Sequence, residues 1–113
     1  MRTKVINGIP VSMTFAEEMY EMLAEELFPL VKDIRRTPIS VYAFLDVRSR
    51  GSRQSRTAYV DRCGEWKLSA VDWVSGCSRT ETGSAGPTEP EMQRFVDRAA
   101  RWFRADFDEV VSR

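Results

Sequence analysis

Arg48, Arg50, Arg53 and Arg56 stand in one acid-free run, interleaved with Ser, Gly and Gln. Guanidinium forks grip phosphates and carboxylates bidentately, so this run predicts an anion-binding finger. A second basic set, Arg94, Arg98 and Arg101, recurs at i, i+4 and i+7, which on a helix is one exposed face. Like charges at that spacing repel, and Asp97, four residues before Arg101, partly offsets this. The opposite sign gathers on Glu17, Glu21 and Glu25, at i, i+4 and i+8, with Glu18 beside them. That acidic stripe is placed to neutralise the arginine run within the molecule or to face a basic partner. Tyr20 and Phe28 flank the neighbouring apolar stripe, and such edge aromatics are common in interfaces.

The types that are missing exclude more than the present ones suggest. The chain has no histidine, which removes imidazole acid/base catalysis, His-ligated zinc and histidine pH switching. Two cysteines are too few for a disulfide scaffold or a four-cysteine metal site. Cys63 has Arg62 beside it and Lys67 nearby, which would lower a thiol pKa, but no histidine can serve as its base. Asp46, Asp61, Glu65 and Asp72 could in principle hold Mg²⁺, yet their spacing does not converge them. No phosphate-binding P-loop, dinucleotide turn, serine elbow or zinc pattern is present. No cofactor or metal is expected.

The elements that must carry these residues follow from periodicity and caps. Asn7-Gly8 supplies the positive φ angles of a two-residue hairpin turn, and Pro10 pushes that hairpin to a sheet edge. Thr14 and Glu17 fit a capping box. Behind them Phe15, Met19, Met22, Leu23, Leu27, Leu30, Val31 and Ile34 keep helical spacing. The helix is expected to run past Pro29 with a kink or a restart, with Lys32, Arg35 and Arg36 complementing the dipole at its end. Ile39–Val47 is β-branched and aromatic on both alternating faces and reads as an inner strand. The Arg48–Arg56 run reads as a loop. Thr57–Arg62 and Glu65–Trp73 form a hairpin around Cys63-Gly64. A two-residue turn there pairs Arg62 with Glu65, Asp61 with Trp66 and Tyr59 with Leu68. Tyr59, Trp66, Leu68 and Ala70 then share a face.

Cys63 at that turn and Cys77 beyond the strand's far end would stand roughly 30 Å apart, too far for a bridge. Ser78–Pro90, rich in small and polar residues, reads as a second loop. Thr88-Glu-Pro-Glu91 opens the last helix with another capping box and an early proline. Met92, Phe95, Val96, Ala99, Trp102, Phe103, Phe107 and Val110 form its apolar stripe. Asp106, Asp108 and Glu109 oppose the dipole at its end, so an arginine from elsewhere in the chain or from a partner should compensate there.

At 113 residues the chain is expected to form one compact domain, residues 1–113. Apolar residues at 42% and charged residues at 30% are ordinary for a soluble globular protein. The expected architecture is α+β, a two-layer sandwich with two helices on one face of a mainly antiparallel sheet, in the order β-hairpin–α–β–β–β–α. The start, MRTKVINGIPVSM, has no long apolar run, and nothing approaches the ~20 apolar residues that span a bilayer. A cytoplasmic chain with reduced cysteines and no membrane partner is therefore expected.

Seventeen Lys+Arg against seventeen Asp+Glu give a formal net charge of zero. Neutrality removes the repulsion that opposes self-association, which makes a homodimer a natural expectation. It also hides segregation: residues 1–31 carry net −3, 32–67 net +5 and 68–113 net −2.

The central order helix–strand–strand–strand–helix resembles that of the double-stranded-RNA-binding domain. The match is in element order alone. Those domains grip phosphate with lysines at the start of their last helix, where this chain has the acidic Thr88-Glu89-Pro90-Glu91. The Gly-rich and Lys-Lys signatures are absent too, so no family is assigned.

These observations point to a non-enzymatic binding module that docks on another protein. Small free-standing inhibitors, such as phage- or mobile-element-encoded anti-defence and immunity proteins, occupy that niche. The acidic helix face and the arginine run would steer and register the docking, and aromatic edge residues would supply contact area. The competing expectation is a nucleic-acid binder that uses the arginine run on phosphates, with Arg94, Arg98 and Arg101 extending the track. Whether the two arginine sets share one surface discriminates the two readings.

Overall fold

The computed structural model describes residues 3–49 and 52–105, the side chains of Lys4, Ser49 and Ser52 excepted. Of the residues singled out above, Arg50, Asp106, Phe107, Asp108, Glu109 and Val110 lie outside that description.

The N-terminal hairpin forms as its turn chemistry dictates. Strands β1 (Thr3–Ile6) and β2 (Ile9–Ser12) meet around Asn7 and Gly8, with φ of 51° and 80°, both in the left-handed region that this turn requires. The hairpin does not join the edge of the main sheet, as Pro10 suggested. It stands as a sheet of its own and leaves Val5, Ile6 and Ile9 exposed.

Helix α1 (Phe15–Leu27) opens on the expected capping box, Thr14 with Glu17. It stops at Leu27 instead of running through Ile34. Phe28 precedes a proline, which disfavours helical backbone, and it adopts φ −73°, ψ 139°; the Phe28–Pro29 peptide is cis. Ile34, Arg35 and Arg36 belong instead to strand β3 (Asp33–Arg36), so they cannot complement the dipole of α1. Its last turn holds no base of its own. The cation there comes from across the molecule, where Arg104 donates to the Glu26 carbonyl at 2.6 Å and to the Glu26 carboxylate at 2.9 Å.

Strands β4 (Ser40–Ser49), β5 (Ser52–Asp61), β6 (Glu65–Asp72) and β7 (Ser78–Ser84) follow. All five strands from β3 to β7 pair antiparallel in sequence order. Much of both expected loops is therefore strand. Arg48, Arg53 and Arg56 sit on the β4–β5 ladder, which continues out to Ser49 opposite Ser52. Ser78–Ser84 is an edge strand because its backbone completes the ladder offered by β6, with the Ser and Thr side chains on its exposed positions.

The β5–β6 register differs by one residue from the expected one. Val60 faces Trp66 and Ala58 faces Leu68, while Tyr59 lies opposite Lys67. The turn is longer than two residues. Asp61 Oδ1 accepts from the backbone N–H groups of Cys63 (2.9 Å) and Glu65 (3.0 Å), and Gly64 takes φ 84°. One added residue moves every side chain to the other face, so Ala58 and Val60 enter the core in place of Tyr59.

Helix α2 (Glu89–Arg104) carries the second capping box, Thr88 with Glu91, and a proline in its first turn. Both helices pack on one face of the sheet, as expected. The core joins Met19, Leu23 and Leu27 of α1 to Met92, Val96 and Phe103 of α2 over Val41, Ala43, Ala58, Val60, Leu68 and Ala70 of the sheet. The alanines matter because a sheet face of small side chains lets helices approach closely. No helix among the described residues is long and apolar enough to cross a membrane.

Candidate functional site

Strand alternation divides the expected site residues between two surfaces. On β5, Arg56, Ala58 and Val60 face the helices, whereas Arg53, Ser55, Thr57 and Tyr59 face away; on β4, Tyr42, Phe44, Asp46 and Arg48 share that outer face. Among the described residues no second layer covers it. Tyr42 and Tyr59, directly opposite each other, are exposed, and Tyr42 stacks on Phe44 with ring centroids 6.4 Å apart and planes 10° from parallel. β4 is thus an inner strand in sheet order, as read from sequence, but only one of its two apolar faces is buried.

At one end of this open face a connected cluster forms. The Trp73 indole N–H donates to Ser55 Oγ at 2.7 Å, and the Ser55 hydroxyl donates to Asp46 Oδ1 at 3.4 Å. The second oxygen of Asp46 lies 3.7 Å from Arg48 and 3.6 Å from Arg53. Trp73 is also fixed through its backbone, whose N–H donates to the Arg53 carbonyl at 2.8 Å. Ser55 is buried under the indole, yet Trp73 itself remains 59% exposed. The ring is therefore held in place without being covered.

The other expected site residues are dispersed. Arg56 is not on a finger: it is 7% exposed and donates from Nη1 to the carbonyls of Trp102 (2.8 Å) and Phe103 (3.0 Å). Those carbonyls lie in the last turn of α2, where helix geometry leaves acceptors without intrahelical donors. Arg56 thus brings a cation to the last turn of α2, while the acids that an arginine was expected to offset, Asp106, Asp108 and Glu109, lie outside the described residues. Arg98 is tied to Glu81 at 2.8 Å and lies 5.3 Å from the centroid of the Trp66 ring. With Arg94 and Arg101 it lines an open cleft of about 460 Å³ between α2 and the β6–β7 edge, which Glu91 and Asp97 also line.

Arg48 and Arg53 turn to Asp46 and not to the acidic stripe. Glu17 serves the cap, Glu18 is buried, and Glu21 and Glu25 are exposed with no ion pair among the described residues. Tyr20 is half-buried and packs against the core, so it contributes little free edge.

The candidate metal ligands are likewise scattered. Asp61 and Asp72 accept backbone donors in their own turns, and Asp46 serves the Trp73 cluster. Among the described residues no group of acids or cysteines is placed to hold a metal ion. Cys63 and Cys77 are free and exposed, at turns flanking opposite ends of β6. Comparison with protein-family models, curated proteins and solved structures gives no match.

Sequence reading missed Trp73, Tyr42, Phe44 and Ser55. It placed the first at the end of a strand and the next two in a covered one. The Tyr42/Tyr59 pairing depended on the β4–β5 register, which the sequence of the arginine run conceals because it lacks apolar alternation.

Proposed function

We propose that this protein is a non-enzymatic docking module that binds another protein through the open face of its sheet. The observation that carries this reading is Trp73, pinned to Ser55 and fixed by its backbone, with its ring still exposed beside Arg48 and Arg53. Trp, Tyr and Arg dominate the energetics of protein interfaces, and a side chain already ordered loses little entropy on binding. The face is also close to charge-balanced, since Arg35 pairs with Asp33 and the two hairpin arginines share Asp46.

The arginine sets do not form one track. Arg48 and Arg53 lie on the open face, Arg56 is under α2, and Arg94 and Arg101 line the cleft beside α2. This dispersal favours a protein partner over a phosphate backbone. An inhibitor of the anti-defence or immunity kind, acting in the cytoplasm by covering a partner's surface, needs no chemistry beyond such a face.

Cross-linked co-purification, compared between wild type and variants, tests the proposal. A partner retained by Arg94→Ala but lost with Trp73→Ala and Tyr59→Ala is the expected result. Anisotropy titrations of labelled DNA and RNA between about 50 and 200 mM salt supply the opposing arm. Binding that weakens steeply with salt and loses slope in Arg48→Ala/Arg53→Ala would overturn the protein reading in favour of nucleic acid.

A further inference from the structure

The two edges of the main sheet differ. β3 is short, charged at three of its four positions and followed closely by Pro38, the devices that protect an edge from pairing. β7 has seven residues without lysine or proline.

Its hydrogen-bonding phase is set at both ends. Asp72 N–H donates to the Cys77 carbonyl and Ala85 N–H to the Gly64 carbonyl. Alternation then turns the backbone groups of Arg79, Glu81 and Gly83 inward to β6. Those of Ser78, Thr80, Thr82 and Ser84 point away from the sheet, and all four residues are exposed.

We infer that β7 is a self-pairing edge, at which two copies of this chain join antiparallel about a two-fold axis through Thr80. The register follows from phase and charge. Only outward-facing residues can form bonded pairs, so the axis passes through Thr80 or Thr82, or through Arg79, Glu81 or Gly83 as a non-bonded pair, the last with fewer bonds than an axis at Thr80. An axis at Arg79 or Glu81 sets like charges against each other. An axis at Thr82 places Glu81 opposite Gly83 and brings no charge pair.

The axis at Thr80 sets Arg79 opposite Glu81 of the second copy, twice by symmetry. These are non-bonded pairs, where side chains approach most closely. Thr80 pairs with Thr80 of the second copy and Ser78 with Thr82, giving about six backbone hydrogen bonds in all. Each Glu81 already holds Arg79 of its own strand at 2.9 Å and Arg98 at 2.8 Å, so pairing adds two cross-strand ion pairs to an existing network. Zero net charge leaves little long-range repulsion between copies. The pairing is independent of the docking face, and it would join two such faces into one surface.

Sedimentation velocity on the full chain up to about 500 µM tests this, since an edge contact of this size belongs to the weak class of interfaces. Wild type should show a concentration-dependent dimer. Thr80→Pro removes an outward N–H and no ladder bond within the protomer, so it should remain folded and weaken the dimer at least tenfold. Arg79→Glu and Glu81→Arg should each dissociate it, and the double reversal, made together with Arg98→Ala to avoid a like-charge contact at position 81, should restore it. In a Cys63→Ser/Cys77→Ser background, Thr80→Cys should cross-link to itself on oxidation. Thr82→Cys should not, because the two copies of that residue stand about 13 Å apart along the strands. A monomer at every concentration overturns the inference. So does a dimer indifferent to Thr80→Pro and to the single reversals, or one cross-linked through Thr82→Cys alone.

Discussion

Replacing Arg56 removes a helix terminator that is distant in sequence from the helix it ends. Its guanidinium reaches two carbonyls of the last turn of α2 at 2.8 and 3.0 Å, in a site where Arg56, Trp102 and Phe103 are each at most 7% exposed. Buried acceptors left without a donor cost about 1–3 kcal/mol each, and a cation at a helix C-terminus contributes up to about 1 kcal/mol more. Some relaxation toward water at the helix end will reduce the sum, so Arg56→Ala should destabilise by about 3 kcal/mol. For a chain of this length that is a fall in Tm of about 12 °C.

Arg56→Lys keeps the charge, but a single ammonium cannot span both carbonyls as the planar fork does. It should lose about half as much. Arg101→Ala, at an exposed position on α2, is the control and should stay within about 0.5 kcal/mol of wild type. Urea and thermal unfolding of the four proteins, followed by far-UV circular dichroism, give the comparison. If Arg56→Ala is no less stable than Arg101→Ala, the helix-end role is wrong and Arg56 returns to the set available for binding.

Other expected outcomes follow from the turns and caps. Gly64 and Gly76 both have positive φ (84° and 76°), but an added Cβ meets nothing at Gly76 and overlaps the Ala85 carbonyl oxygen at Gly64. Gly76→Ala should therefore cost about 1 kcal/mol of backbone strain, and Gly64→Ala clearly more; equal melting temperatures would refute the close approach. Thr88→Ala removes the side-chain acceptor of the α2 capping box and should cost about 1 kcal/mol in urea unfolding.

Donation from the Val74 backbone N–H, with Ser75 adding to it, holds the Asp72 carboxyl below its ordinary range. A pKa lowered by folding stabilises above the unfolded value and is lost as pH falls through the folded one. The acid limb of a stability–pH profile should thus flatten in Asp72→Asn below about pH 4, and an unchanged limb would remove Asp72 from the account.

Local chemistry was readable wherever neighbours in sequence settle the structure between themselves. The Asn7-Gly8 turn, both Thr–Glu capping boxes and the apolar stripe of α2 through Phe103 depend on a few adjacent residues, and they form as read. The α+β class follows from the same signals, since two amphipathic helices and several alternating segments have few ways to bury their apolar faces. The absence of histidine and the scattering of acids likewise bounded the chemistry before any fold was known.

Tertiary structure decided the rest, because it turned on pairing between distant residues. Asp61 closes a turn longer than two residues, and that one added residue exchanged Tyr59 for Ala58 and Val60 in the core. β7 becomes strand because β6 offers it a ladder, although its Ser/Thr composition has no apolar pattern to announce it. Arg56 resembles Arg48 and Arg53 in every local respect. It is buried only because the strand carrying it passes beneath the end of α2, whose carbonyls needed a donor. Trp73 becomes a held, exposed ring only once β5 places Ser55 under it. Local sequence sets what each segment can form, and the partner across the sheet or helix sets which side chains remain free to meet another molecule.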